Sequence, residues 1–83
     1  MRLFWTKKSK SEHFFDVANI HMGMGAHSQA IIEYQQAITL DPSNQTMWLQ
    51  IIDTLDSRGL HDEAKQFEQK YNLATAVYGK KWQ

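Results

Sequence analysis

The stretch Gly25-Ala26-His27-Ser28-Gln29-Ala30 returns in the second half of the chain as Gly59-Leu60-His61-Asp62-Glu63-Ala64, with glycine, histidine and alanine identical and glutamine answered by glutamate. In each copy a glycine, which enters the left-handed backbone region without steric penalty, separates two apolar periodic segments. Carried outward at the same shift, Phe14 meets Trp48 and Val17 meets Ile51. A short sequence that recurs at this interval around a glycine turn reads as two helical hairpins.

The segments on either side fill in those hairpins. Phe14, Phe15, Val17, Ala18, His21 and Met22 recur at three- and four-residue spacing, which predicts a helix over 11–24 with Ser11 as N-cap. Ala30, Ile31, Tyr34, Ala37, Ile38 and Leu40 predict a second over 27–40, ended by Pro42. Met47, Trp48, Ile51, Ile52 and Leu55 predict a third over 44–58, and Ala64, Phe67, Tyr71, Ala74, Val77 and Tyr78 a fourth over 61–78. Gly59 and Gly79 are read as the stops of those two helices, with Lys80 and Lys81 set favourably against the last C-terminus. No segment alternates with period two for long enough to form a strand, so the fold class is all-α. Each hairpin is apolar on too wide a face to bury alone, and the two are expected to stack. The chain divides into a basic, aromatic flank (1–10), two repeats (11–44 and 45–78) and a basic tail (79–83).

The first repeat resembles a tetratricopeptide repeat, a helix-turn-helix unit of about 34 residues. The family pattern W-x2-L-G-x2-Y, A-x3-F and P is answered by Phe14-x2-Val17-Ala18-x2-His21, by Ala30-x3-Tyr34 with Ala37 three further on, and by Pro42. The second repeat keeps Trp48, Ile51, Leu55, Gly59 and Ala64. It departs at Ile52 and Tyr71, where the family has small residues, and at Glu68, where it has an aromatic one; Phe67 is the candidate to make that contact instead. The resemblance implies a short right-handed α-solenoid whose concave groove is built by the first helix of each pair. Partner residues in such a groove would be Glu12, Phe15, Asn19, Met22, Thr46, Leu49, Asp53 and Asp56.

Composition narrows the function. At 83 residues this is one small domain, and folding buries only about 60% of the unfolded chain's surface at such a size. Without cysteine there is no disulfide, thiolate metal site or thiol nucleophile. The net charge of zero hides a strong segregation. Residues 1–10 carry Arg2, Lys7, Lys8 and Lys10 with no acid, whereas 11–44 carry Glu12, Asp16, Glu33 and Asp41 with no lysine or arginine. An acidic body repels phosphate, which argues against nucleic acid as a partner. No signal peptide or membrane span is legible, and the expected location is cytoplasmic.

Catalytic and cofactor readings are weak. His13, His21, His27 and His61 contain no i, i+4 pair and no H-E-x-x-H, so no metal site is expected. His21 reads as a core histidine bonded to a neighbour, and His27 and His61 as turn residues. Met22-Gly23-Met24-Gly25 has neither the preceding strand nor the following lysine of a phosphate loop. Ser28 with His27, or Asp53 and Asp56 with Ser57, offers no nucleophile, base and orienting group with a reason to converge. The expectation is a non-catalytic interaction module, with no cofactor, that binds a basic or amphipathic protein segment. In chaperone-binding members of the family, lysine and asparagine clamp an acidic peptide; Asn19 fits the asparagine, but Phe15 replaces the lysine.

Two repeats are fewer than the three usually needed for a stable stack. Trp5, Phe67, Tyr71, Ala74, Val77, Tyr78 and Trp82 are therefore expected to make end contacts in a homo-oligomer, basic flanks meeting the acidic body of a neighbour. The alternative function is a self-assembling or membrane-proximal subunit, with Leu3, Phe4 and Trp5 docking weakly on an anionic membrane surface.

Overall fold

Thr6 starts the first helix. Its backbone is extended and its Oγ1 accepts the Ser9 N–H at 3.0 Å, satisfying a donor that the helix itself cannot pair. The computed structural model describes residues 6–82, so the readings placed on Leu3, Phe4 and Trp5 lie outside the described residues. The described residues form four α-helices in order, α1 (Lys7–Gly23), α2 (His27–Leu40), α3 (Gln45–Ser57) and α4 (His61–Tyr78), and then a 3-10 helix at Gly79–Trp82. Among the described residues there is no strand. None of these helices is long and apolar enough to cross a membrane.

The chain falls into two units that divide between Asp41 and Pro42. In the first, α1 packs on α2; in the second, α3 packs on α4. The turns of the two units match bond for bond. Gly25 at φ +83° and Gly59 at φ +79° are both left-handed. Gly25 N donates to Met22 O at 3.1 Å and Ala26 N to His21 O at 2.9 Å; in the second turn, Gly59 N donates to Asp56 O at 3.0 Å and Leu60 N to Leu55 O at 2.9 Å. This nested pair of bonds is the Schellman motif, in which glycine lets the chain reverse while the last carbonyls stay paired.

One expected boundary is corrected, and another holds with a different backbone geometry. Ser11 is no N-cap: α1 begins a full turn earlier, and Ser11 is buried with its hydroxyl donating to the Ala37 carbonyl at 2.7 Å. The polar residues 7–10 carry no apolar periodicity that would have extended the predicted helix, yet Thr6 caps it. Gly79 caps α4 after Tyr78, as expected, but not by a left-handed turn. Its φ is −57°, right-handed, and the backbone tightens into the 3-10 helix instead of reversing. A Cβ at Gly79 would approach Thr75 Cγ2 to 3.2 Å.

The interiors differ. In the first unit Ala18, Ala30 and Ala37 are fully buried beside Met22, Tyr34 and Ile38. Such small residues let helix backbones approach, and α1 and α2 stay close along more of their length than α3 and α4 do. In the second unit Ile52 and Tyr71 stand where the first has Ala18 and Ala37. There an aromatic cluster takes over: Trp48 lies edge-on to Phe67 at 6.4 Å and tilted to Tyr71 at 6.1 Å, and Tyr71 stacks on Trp82 at 5.6 Å. Phe67 is buried and Glu68 exposed, as the shifted aromatic contact requires.

Candidate interaction faces

On α1, Glu12, Phe15 and Asn19 follow one another at three- and four-residue spacing and share a face. Glu12 and Asn19 are exposed and Phe15 is half-buried. The Phe15 ring leans on Tyr34 at 5.8 Å, and the Tyr34 hydroxyl donates to Asn19 Oδ1. Met22, expected on the same face, is buried in the core of the first unit and cannot meet a ligand. The reason is its phase: it follows Ala18 by four residues on the stripe that faces inward.

On α3, Thr46, Leu49, Asp53 and Asp56 repeat that spacing, and all four are exposed. Leu49 keeps 48% of its surface in solvent, about one turn before Asp53 and two turns before Asp56. Asp56 Oδ1 lies 2.6 Å from His61 Nδ1 across the hairpin turn. His61 is thus a turn residue, whereas His27 cannot repeat the bond because Met22 stands in the place of Asp56.

The residues expected at the ends behave unequally. Phe67 and Ala74 are buried within the second unit and present no end contact. Tyr71 and Trp82 are half-buried against each other, Gln45 Nε2 donates to the Tyr71 hydroxyl at 3.0 Å, and Trp82 Nε1 donates to the Ser43 carbonyl at 2.6 Å. The basic tail therefore folds back on its own unit through Trp82. Tyr78 is half-buried, Val77 is exposed, and Trp5 lies outside the described residues.

Polar chemistry inside the first unit centres on Glu33, a residue that sequence periodicity did not single out. It is buried, its Oε1 2.6 Å from His21 Nδ1 and its Oε2 accepting from Gln29 Nε2 at 3.1 Å. Burial pushes the Glu33 pKa up, but the hydrogen bonds from His21 and Gln29 and the attraction of His21 outweigh it and hold the carboxyl below its ordinary 4.5. The clue in the sequence was the repeat itself, since position 33 corresponds to Phe67 and position 21 to Leu55.

An open depression of about 590 Å³ lies on the first unit, and the described residues that line it are Lys10, His13, Phe14 and Leu40. Among the described residues no group of three or more His, Asp or Glu side chains converges as a metal site would require. Ser57 Oγ donates to the Thr54 carbonyl at 2.9 Å, the bond of a helix-end hydroxyl and not of an activated nucleophile. The described surface carries two strips on the first helices of the hairpins, Glu12, Phe15 and Asn19 on α1 and Thr46, Leu49, Asp53 and Asp56 on α3, each with one apolar side chain set among polar ones. Neither a protein-family model, a curated protein nor a solved structure matches this chain.

Proposed function

We propose that the chain is a non-catalytic interaction module that binds a basic or amphipathic protein segment along the strips of α1 and α3. The observation that carries this reading is the α3 strip, where half-exposed Leu49 stands within a turn of Asp53 and two turns of Asp56. An apolar anchor beside carboxylates favours a ligand that brings both a methyl-rich side chain and cations, and it repels an acidic one. The resemblance to tetratricopeptide repeats supports the same use of these helices and belongs to the proposal, together with the stacked solenoid and the cytoplasmic location it implies. The chain performs no reaction on this reading, and its Asp56 is engaged by His61.

Titration of a labelled lysine- and leucine-rich helical peptide, followed by anisotropy, tests it. The expected result is saturable binding that Leu49→Ser with Asp53→Asn weakens by about tenfold, roughly 1.4 kcal/mol. Tighter binding of an acidic peptide, lost in Asn19→Ala, is the contrary result.

A further inference from the structure

The four most exposed large apolar side chains among the described residues are Ile20 (61%), Met24 (73%), Leu73 (71%) and Val77 (72%). Apolar residues exposed singly are ordinary, but these come as two pairs, each spaced by one helical turn, the first on α1 and its C-cap and the second on α4. Ile20 and Met24 continue a line of exposed residues that starts with Glu12 and Asp16, at four-residue steps along α1. Leu73 and Val77 are bracketed by exposed Lys70 on one side and exposed Lys80 and Lys81 on the other. Between residues 69 and 82 there is no acid. One face is apolar and negative, the other apolar and positive.

We propose that α4 of one copy docks antiparallel on α1 of a second copy, Val77 and Leu73 against Ile20 and Met24, with Lys80 and Lys81 facing Glu12 and Asp16. The lengths agree. Glu12 to Met24 rises about 18 Å in an α-helix, and Lys70 to Lys81 rises about the same once the tighter 3-10 turn is included. Direction follows from the charges: the carboxylates precede the apolar pair on α1, while two of the three lysines follow it on α4. Antiparallel docking sets two lysines against two carboxylates, whereas parallel docking would set only one there. It also carries Lys70 past Met24 toward the C-terminal carbonyls of α1, where a cation is favoured. A second copy is preferred over an anionic membrane because it satisfies both faces at once, and the carboxylates of α1 would repel an anionic surface. Two apolar side chains on each face make a small contact, so the association is weak and sensitive to salt.

This inference names a partner for the interaction module and rests on that reading, but it leaves the α3 strip unused. Each copy carries one face of each kind, so two half-broken variants should complement each other. Sedimentation velocity over a concentration series at low ionic strength is the test. Wild type gains mass with concentration, while Ile20→Ser with Met24→Ser, and Leu73→Ser with Val77→Ser, each remain monomeric with unchanged helical circular dichroism. Mixed together, the two variants pair, because the first retains α4 and the second retains α1. Adding Asp16→Lys to the second weakens that pairing about fivefold, the scale of two exposed charge contacts, and Lys80→Glu in the first restores it.

A wild type that stays monomeric, self-association that persists in either variant, or a mixture that does not pair overturns the proposal. So does a face on α4 that captures phosphatidylserine vesicles while copies of the chain ignore each other. If copies do not pair but the lysine- and leucine-rich peptide still binds, this inference falls and the proposed function stands. If copies pair by these rules and the peptide does not bind, the strips fail and the docking of α4 on α1 stands.

Discussion

The two units build the same turn and fill the space behind it differently. In the first, positions 21 and 33 hold His21 and Glu33, bonded at 2.6 Å; the corresponding places of the second hold Leu55 and Phe67, both buried. The first unit adds polar ties from Ser11 to the Ala37 carbonyl and from Tyr34 to Asn19, while the second relies on Trp48, Phe67, Tyr71 and Trp82. The repeat thus constrains the backbone reversal more tightly than the interior. A glycine at a left-handed position has few substitutes, whereas a hairpin's interior needs only filled volume and paired polar groups. Among the described residues no buried side-chain nitrogen or oxygen is left without a partner, so the polar version is complete.

The most damaging single change falls on the aromatic unit. Trp48 is buried, touches Phe67 and Tyr71, and donates Nε1 to the Pro42 carbonyl at 2.8 Å. Trp48→Ala should cost about 3–5 kcal/mol, read as a lowered urea midpoint; a change below about 1 kcal/mol would mean that the cluster does not hold the second unit. Next comes the polar unit. Glu33→Phe alone takes the partner from half-buried His21, while exposed Gln29 turns to water, and should cost about 1–2 kcal/mol. Making the first unit like the second, with His21→Leu and Glu33→Phe together, should recover most of that loss. If the double variant is worse than the single one, the two interiors are not interchangeable solutions.

The turns should behave alike where the interiors do not. A Cβ at Gly25 or Gly59 meets nothing within 4 Å, so alanine is opposed there by backbone conformation alone. Gly25→Ala and Gly59→Ala should each cost about 1–2 kcal/mol, and unequal losses in thermal unfolding would show that the two reversals are not equivalent. The weakest of these effects concerns pH. Glu33 is held below its ordinary value of 4.5 in the folded chain, so its contribution is present above that pH and is lost as pH falls through the lowered value. The melting temperatures of wild type and Glu33→Gln should therefore differ more at neutral pH than in acid. A gap that widens on acidification would argue against the assignment.

The hairpins were legible because the signals that specify them are local. Gly25 and Gly59 open equivalent turns, Pro42 closes α2, and the N-cap side chain of Asn44 accepts the Met47 N–H at 3.1 Å. What escaped the sequence depends on neighbours brought from elsewhere in the chain. Ser11 looks like a cap by type, yet in the fold its hydroxyl meets a carbonyl 26 residues away. Glu33 looks like a surface residue, and only its correspondence with Phe67 marks it as interior. Met22 fits the spacing of the outward strip, yet it follows Ala18 inward and is buried. On α3 the expected residues Thr46, Leu49, Asp53 and Asp56 are all exposed, because an outward face needs only the helix period and no tertiary partner.

On the proposed reading, a basic or amphipathic segment leaves its footprint on the residues of the strips. Amide chemical-shift mapping of the isotope-labelled chain, titrated with the lysine- and leucine-rich peptide, reads that footprint residue by residue. The expected shifts saturate, concentrate on Glu12 to Asn19 and on Thr46 to Asp56, and vanish from α3 in the Leu49→Ser, Asp53→Asn variant. Shifts that gather on α4, or none at all at saturating peptide, would contradict the proposed binding mode.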